Sequence, residues 1–278
     1  MPSQLDKARA FRALHERAGA FIIPNPYDAG TARLLAHLGF EALATTSAGA
    51  SFSAGLPDYG VTRDDMLGQV ASIAAAVDLP VSGDLENGFG DLPQDAAQTI
   101  VLAAASGLVG GSIEDSTNRS HDPIYEIDFA AERIHRAAEA AHSLDFPFTL
   151  TARAENYLHG RNDLADTIKR LQAYQEAGAD VLYAPGLTRK EEIEAVVRSV
   201  DRPVNVLAGL GDAQLDLATL SAIGVKRISV GGALSRAALG AFLRAAHEMR
   251  DKGTFTFAKD AASGRELNII FERYEQRH

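Results

Sequence analysis

The chain has 278 residues, of which 46% are hydrophobic and 23% are charged, and its formal net charge is −10. This composition is typical of a globular protein that buries a core, and the lack of a long basic run argues against a nucleic-acid partner. The chain has no cysteine, which excludes disulfides, zinc–thiolate sites and thiol nucleophiles. Neither a secretory signal nor an apolar run of the roughly 20 residues that cross a bilayer is evident. We therefore expect a cytoplasmic protein with no membrane partner.

Eight strands are predicted to alternate with helices after an N-terminal helix in residues 1–20. Four of them follow a helix and a glycine, which is the favoured residue just after a helix C-terminus. Their apolar runs suit parallel strands buried on both faces and fall within residues 37–46, 106–115, 176–185 and 222–231. The other four strands are predicted at residues 21–25, 80–86, 148–155 and 204–209.

Eight such units predict an α/β protein, a (β/α)8 TIM barrel that forms one domain over residues 1–278. Thr62 with Asp65, and Thr188 with Glu191, have the spacing of capping boxes that start two of the helices. A doubly wound sheet is the alternative, but no glycine-rich dinucleotide motif follows the first strand. Residues 233–278 exceed one closing helix, so we expect a C-terminal helical extension. We expect it to be exchanged between subunits, although it could also fold back on its own barrel.

In a TIM barrel, the active site lies at the C-terminal ends of the strands. Polar residues stand at several of the predicted ends, namely Asn25, Thr46, Ser47, Asp84, Glu86, Glu114, Asp115, Arg153, Glu155 and Asn205. One acid at such a position is commonly a helix cap or a solvated loop residue. Asp84, Glu86 and Glu114 follow adjacent strands, however, and would repel one another unless a cation lay among them.

Carboxylates without histidine or cysteine nearby favour Mg²⁺, or Mn²⁺, over zinc. Mg²⁺ keeps several water ligands, so one or two direct carboxylates are enough. Arg153 can bind a carboxylate or phosphonate through two hydrogen bonds, and the backbone at residues 46–48 can bind a second anionic group. These features together predict a site for a small 2-oxo di-acid.

Two long loops border the predicted site. The connection after the second strand exceeds the usual length and contains Asp58 in the sequence "GLPDYG". The connection after the fourth strand, "STNRSHDPIY", could be a lid over the substrate or a surface loop, and both interpretations stay open. His159, beyond the fifth strand, could reach the site or lie outside it.

The segments "YDAGTARLLAHLGFEALATTSAG", "GLPDYG", "DLENGFGD", "SIEDS" and "TARAENYL" together resemble the isocitrate lyase/phosphoenolpyruvate mutase superfamily. The resemblance extends over roughly residues 21–240, in matching order and spacing. It implies a (β/α)8 barrel with a helix exchanged between paired subunits, in a dimer or tetramer. It also implies Mg²⁺-dependent making or breaking of C–C or P–C bonds in 2-oxo or 2-hydroxy acids through an enolate-like intermediate.

The same resemblance implies roles for individual residues. Asp84 matches the direct metal ligand of the motif D-x-D-x-G-Y-G, in which Glu86 replaces the second Asp. Glu86, Glu114 and Asp58 match acids that hold metal-bound waters. Ser47 and Ala48 match a pair whose backbone binds the substrate carboxylate, and Arg153 matches the Arg of A-R-T-D. The candidate residues are thus Asp58, Glu114 and Arg153 for catalysis, Ser47, Ala48, Asp84, Arg153 and Asn205 for substrate binding, and Asp84, Glu86 and Glu114 for the metal.

The loop at residues 116–123, "STNRSHDP", departs from the pattern of the superfamily. Isocitrate and methylisocitrate lyases carry K-[KR]-C-G-H there, and its Cys is the acid/base. The mutase branch has Lys and Asn, whereas this chain has Asn118 and Arg119, and Arg is a poor proton donor. Our leading hypothesis is a Mg²⁺-dependent lyase for a small 2-oxo or 2-hydroxy dicarboxylic acid, such as an oxaloacetate decarboxylase or hydrolase. Phosphonopyruvate chemistry and a 2-oxo-acid-binding protein with little turnover are the alternatives.

Overall fold

A computed structural model describes residues 2–209 and 215–275. Its eight parallel strands form one sheet in the order β1-β8-β7-β6-β5-β4-β3-β2. The Ala44 N–H, in β2, donates to the Pro24 carbonyl just after β1 at 3.1 Å and joins the two ends of the sheet. The predicted (β/α)8 TIM barrel is therefore confirmed. The strands are β1 Phe21–Ile23, β2 Leu43–Ala44, β3 Val81–Asp84, β4 Gly110–Glu114, β5 Thr149–Arg153, β6 Val181–Tyr183, β7 Val204–Leu207 and β8 Arg227–Ser229.

The helices surround this barrel. Thr62 caps α4 and forms the predicted capping box with Asp65. The second predicted box is wrong, because α8 starts one residue later, after Arg189, without a side-chain cap. The helices are α1 Gln4–Glu16, α2 Ala29–His37, α3 Ser47–Ser53, α4 Arg63–Ala76, α5 Pro93–Ala105, α6 Ile127–His142, α7 Leu164–Glu176, α8 Lys190–Ser199, α9 Leu217–Ala222, α10 Ala233–Lys252 and α11 Gly264–Glu275.

The apolar core lies between the strands and the surrounding helices, and α1 covers the opposite end of the barrel from the predicted site. Phe11 of α1 packs in one apolar cluster with Phe21 and Ile23 of β1. Inside the barrel, where bulky branched residues usually dominate, the strands instead contribute many buried polar residues. These are Ser82, Ser112, Thr151, Asn205, Arg227 and Ser229.

The C-terminal extension consists of α10, a 3₁₀ turn at Thr256–Asp260, and α11. In α11, the Tyr274 hydroxyl donates to the Arg33 carbonyl of α2 at 3.2 Å, so this helix lies against its own barrel. In α10, the apolar side chains of Leu239, Phe242 and Leu243 are exposed, and its exchange between subunits stays a prediction. Positions 1 and 276–278 of the predicted terminal helices lie outside the described residues. No helix in the described part of the chain is both long and apolar enough to cross a membrane.

Candidate active site

The C-terminal ends of the strands surround a cavity of about 330 Å³. Six of the residues predicted for the site line it, namely Ser47, Ala48, Asp58, Asp84, Arg153 and Asn205. Glu86 and Glu114, the other two, are buried behind its wall. The barrel therefore brings all eight candidates to one end of the fold, but only six of them reach the cavity itself.

Arg153 is the centre of the charged residues at this end. It ends β5, in register with Glu114 of β4 and Tyr183 of β6, so these side chains point to the same side of the sheet. Its Nη1 lies 2.7 Å from Asp84 Oδ1, its Nη2 lies 3.2 Å from Glu114 Oε2, and its Nε lies 2.8 Å from Glu155 Oε1. Although burial opposes it, the charges of Glu155, Glu114 and Asp84 raise the pKa of Arg153 well above its usual value. Arg153 is thus a permanent cation fully engaged by acids.

Asp84 is the last residue of β3 and, besides Arg153, it interacts with two residues of the neighbouring turn after β2. Its Oδ2 accepts hydrogen bonds from both the backbone N–H and the hydroxyl of Ser47, each at 2.9 Å. Its own N–H donates to Thr45 Oγ1 at 2.9 Å. Because β2 and β3 are neighbours, the turn after β2 falls beside this carboxylate. The Ser47 N–H, which we predicted to bind substrate, is therefore donated to Asp84 in this structure.

Glu86 lies just beyond Asp84 in a conformation that side chains rarely adopt, with φ at 50°. Its side chain is buried, and Oε1 has no hydrogen-bond partner among the residues that the structure describes. It lines a second cavity, of about 600 Å³, beside the first. Burial, with the charges of Asp84 and Asp58, raises the pKa of Glu86 to about 8. Left-handed backbone in a residue with a side chain costs energy and clusters at functional sites, which supports a role for Glu86 here.

Tyr59 is a site residue that the sequence did not reveal. Its hydroxyl donates to Glu114 Oε1 at 2.8 Å, and its ring lines both cavities. It covers Glu114, whose pKa is raised by burial and by the charges of Glu155 and Asp84. The one available signal was its place next to Asp58 in "GLPDYG". Asp58 itself lines the first cavity from an exposed loop, and partial loss of water, with the Asp84 charge, raises its pKa.

Asp115, next to Glu114 in the chain, does not line the cavity and makes contacts that stabilise the fold instead. It is buried and accepts hydrogen bonds from Arg170 Nη1 at 3.0 Å and from the Glu155 N–H at 2.8 Å. The Tyr174 hydroxyl donates to the same carboxylate. These contacts tie the end of β4 to α7 and to the start of the loop after β5. Asp115 therefore supports the site without reaching it.

The floor of the cavity is polar and lies inside the barrel. Asn205 was predicted at a strand end, but it is the second residue of β7 and lies one layer below Leu207, where that strand ends. Arg227 Nε donates to Asn205 Oδ1 at 2.9 Å, and Arg227 Nη2 donates to Thr151 Oγ1 at 3.0 Å. Asn205 Nδ2 donates in turn to Ser229 Oγ at 3.0 Å. The sequence did not single out Arg227, because it starts its strand and such positions are commonly structural.

The charge balance of this end fits a hard cation. Five acidic side chains lie close enough to Arg153 to feel its charge, and these belong to Asp58, Asp84, Glu86, Glu114 and Glu155. Among the residues that the structure describes, no three His, Cys, Asp or Glu side chains are grouped so that they could hold a metal together. Mg²⁺ takes one or two direct carboxylates and otherwise water, so it does not require such a group. The unpartnered Glu86 oxygen is a free acceptor for such a water.

The sequence model of the family described as phosphoenolpyruvate phosphomutase matches residues 11–250. The chain belongs to this family. The resemblance to the isocitrate lyase/phosphoenolpyruvate mutase superfamily is thereby confirmed.

Several members of known structure or curated name are similar to the chain. A Burkholderia cenocepacia J2315 protein provisionally described as a lyase/mutase is 65% identical to this chain. The match covers 96% of each of the two chains, with a TM-score of 0.94. The oxaloacetate decarboxylase of Chromohalobacter salexigens is 29% identical over 90% of this chain and 88% of its own. An oxaloacetate acetylhydrolase in complex with its product oxalate is 26% identical, covers 97% of this chain and 95% of its own, and has a TM-score of 0.87.

In this member of the phosphoenolpyruvate phosphomutase family, the loop after β4 is tied to its surroundings. The Thr117 N–H donates to the Pro123 carbonyl at 2.8 Å, and Arg119 pairs with Asp91 at 2.8 Å. His159 Nε2 lies 3.3 Å from Ser116 Oγ, at the base of the same loop. Asn118 reaches the second cavity. Arg119 is therefore engaged by a surface acid, and whether the loop acts as a lid stays a prediction.

Proposed function

We propose that this chain is a divalent-metal-dependent lyase that cleaves a C–C bond of a small 2-oxo dicarboxylic acid, with oxaloacetate as the first candidate substrate. The observation that carries the proposal is the Asp84–Arg153 pair on the cavity wall, with the acids Glu114 and Glu155 also in contact with Arg153. Two relatives named for reactions of oxaloacetate support it. The chemistry of such a substrate needs no thiol, in keeping with a chain that has no cysteine.

In this proposal Asp84 would bind Mg²⁺ or Mn²⁺ directly, and Asp58, Glu86 and Glu114 would hold water molecules of the metal. The bound cation supplies Lewis-acid stabilisation of the negative charge that develops on the substrate when the bond breaks. Mn²⁺ favours the same oxygen ligands as Mg²⁺. The donors that now hold Asp84, Arg153 Nη1 and the Ser47 N–H, are the groups that we assign to the substrate carboxylate, with Ala48 beside them.

Other groups of the chain prepare the site. The Tyr59 hydroxyl fixes the orientation of the Glu114 carboxyl group through its 2.8 Å hydrogen bond. Phe52 and Leu158 contribute apolar surface to the cavity wall, which would exclude water from the reacting bond. Fixed donors directed at the site of developing charge are the largest single contribution in many enzymes. Arg153, held by three acids, is such a donor.

Chemistry at a P–C bond is the second candidate, because the matching family model is described as phosphoenolpyruvate phosphomutase. Arg153 would bind a phosphonate as it would a carboxylate. Phosphonopyruvate, followed by ³¹P NMR in the presence of Mg²⁺, tests this candidate directly. Loss of the phosphonate signal, together with no turnover of oxaloacetate, would replace the first proposal.

We also propose that the protein is a homo-oligomer that associates through α10. Its exposed apolar side chains, with Phe242 70% exposed and Leu243 57% exposed, are the kind of surface that marks protein–protein contacts. An exchange of α10 between subunits would bury them while α11 stays on its own barrel. A dimer built in this way could pair again into a tetramer.

The primary experiment is an assay of oxaloacetate turnover with purified protein and Mg²⁺. Pyruvate and oxalate are quantified separately, since pyruvate reports decarboxylation and oxalate reports hydrolysis. Turnover that exceeds the rate with Mg²⁺ alone, and that disappears with EDTA, is the expected result. If the protein bound oxalate tightly in the presence of Mg²⁺ but gave no product from either substrate, it would be a binding protein.

A further inference from the structure

We propose that Arg227 forms a carboxylate-binding subsite at the floor of the cavity, where it takes the second carboxylate of a dicarboxylic substrate. This inference rests on the proposed function, because it concerns the same cavity. Arg227 is only 5% exposed and lines the cavity from the first position of β8. The sequence-derived candidates did not include it.

The described residues around Arg227 offer it hydrogen-bond acceptors but no negative charge. Asn205 Oδ1 and Thr151 Oγ1 accept from its Nε and Nη2, and its Nη1 has no hydrogen-bond partner. Within the part of the chain that the structure describes, no carboxylate lies within ion-pair distance of Arg227. Arg153 and Arg170, by contrast, are ion-paired with acids. Among the described residues, Arg227 is thus a buried cation without a counter-ion.

Such a group is unfavourable by itself. A buried charge that lacks a partner destabilises a fold, and natural proteins normally pair it or bind an ion to it. Burial lowers the pKa of Arg227 to about 10, and the positive charge of Arg153 acts in the same direction. Energetically unfavourable features of this kind are retained in proteins chiefly where function requires them. A bound anion would neutralise the charge and would give Nη1 an acceptor.

The position of Arg227 selects the kind of anion. Arg153 and Arg227 line one cavity together with Tyr183, whose ring centroid lies 5.2 Å from Arg153 Cζ. The acids around Arg153 already balance its charge, whereas the charge of Arg227 is unbalanced. A ligand with one carboxylate at the Asp84–Arg153 end and a second at Arg227 would satisfy both ends. A dicarboxylic acid therefore fits better than a monocarboxylic acid.

Two other groups compete as explanations. Arg236 also lines the cavity, but it is exposed on α10, so water solvates its charge and no bound anion is required. His15, at the opposite end of the barrel, has a buried Nε2 without a partner, and the charge of Arg227 contributes to lowering its pKa. A water between His15 and Arg227 could satisfy Nη1 without any substrate contact. The experiment must separate these cases.

Calorimetric titration with two inert ligands, in the presence of Mg²⁺, separates them. Both carboxylates of oxalate belong to the metal-chelating end that a 2-oxo di-acid presents, whereas 3,3-difluorooxaloacetate also carries a distal carboxylate, at C4, that can reach Arg227. In Arg227→Met we expect the affinity for 3,3-difluorooxaloacetate to fall about 100-fold, while the affinity for oxalate stays within about 3-fold. Arg227→Lys keeps the charge and should lose less. The matched control is Arg236→Met, which should leave the ratio of the two affinities unchanged.

A second variant keeps the test valid if Arg227→Met fails to fold. Asn205→Asp places a carboxylate beside Arg227 with almost no change of shape, and it can accept a hydrogen bond from the Ser229 hydroxyl. We expect a higher Tm without ligand, because the cation gains a partner, and a reduced preference for 3,3-difluorooxaloacetate over oxalate. A lower Tm with an unchanged preference would mean that the Arg227 charge is already compensated, which would overturn the inference.

The outcomes distinguish this inference from the proposed function. Oxalate binding with an unchanged affinity ratio in Arg227→Met overturns the subsite alone and leaves Arg227 with a structural role. If the ratio of the two affinities falls in Arg236→Met instead, the distal carboxylate binds at the exposed Arg236, and this also overturns the inference. If oxalate does not bind the wild-type protein with Mg²⁺, the proposed function fails, and the subsite fails with it.

Discussion

Asp84 and Arg153 lie 69 residues apart in the chain, yet Arg153 Nη1 donates to Asp84 Oδ1 at 2.7 Å. The bond joins the ends of β3 and β5, the two strands on either side of β4. It also connects the proposed metal ligand to the proposed anion-binding cation. Binding of a cation at Asp84 would therefore weaken the hold of Asp84 on Arg153 and Ser47 and release their donors to the substrate.

Asp84→Asn should weaken Mg²⁺ binding about 100-fold, because the amide removes the negative charge of the direct ligand. The fold should persist, since the amide oxygen can still accept the Ser47 N–H. Calorimetric titration with Mg²⁺ measures the affinity, and thermal unfolding checks the fold. The matched control is Asp122→Asn on the exposed loop after β4, which should bind Mg²⁺ as the wild-type protein does. Equal affinities for the two variants would contradict the metal assignment.

Glu114 and Asp115 are neighbours in the chain, and we expect their variants to fail in different ways. Glu114→Gln should remove most turnover while the Tm changes little, because the amide can still accept the Tyr59 hydroxyl. Asp115→Ala should lower stability by about 3 kcal/mol or more, because it leaves the buried Arg170 short of a partner. Chemical denaturation and the oxaloacetate assay separate the two effects. A greater loss of stability in Glu114→Gln than in Asp115→Ala would reverse this assignment.

His15 should make stability depend on pH below neutrality. Burial lowers its pKa to about 3 from 6.5, and the nearby charge of Arg227 contributes. The unfolded chain therefore binds a proton between pH 6.5 and pH 3 that the folded chain does not. The contribution of the neutral His15 to the free energy of unfolding is therefore complete above pH 6.5. It is lost as the pH falls below that value, by about 3 kcal/mol at pH 4.

The measurement is the free energy of unfolding at pH 7, 5.5 and 4 for the wild-type protein and His15→Leu. The variant should lose less stability on acidification than the wild-type protein. The control is His37→Gln, an exposed position at the end of α2, which should follow the wild-type profile. A His15→Leu profile parallel to that of the wild-type protein would show that the imidazole is not kept neutral by the fold.

Phe242→Asp should shift the protein to a smaller assembly. A charge in the middle of a buried apolar contact is costly, so the proposed association through α10 should weaken. Sedimentation velocity over a range of protein concentrations measures the assembly state. Lys252→Asp, at the end of the same helix, is the control for a change of charge alone. A wild-type protein that is a monomer at all concentrations would rule out the association.

The sequence by itself determined the barrel and the end of it that carries the site. Glycines before apolar runs mark the strands, because these signals are local in the chain. Carboxylates at the ends of adjacent strands marked Asp84, Glu86 and Glu114, because parallel strands must converge at one end of a barrel. These predictions needed only the periodicity of the chain and one rule of topology.

Only the tertiary structure decided which of these groups meet. Three features depend on residues from different strands and loops, and no local pattern encodes the distances between them. These are the contact of Tyr59 with Glu114, the three acids that contact Arg153, and the buried charge of Arg227. Glu114 and Asp115 are neighbouring acids that look equivalent in the sequence. The pleat of β4 and the loop that follows direct Glu114 toward Arg153 and Asp115 toward α7. Asn205 likewise looked like a strand end, and its depth in the barrel depends on where β7 stops. Burial and charge balance arise from packing, so they become visible only when the strands are assembled.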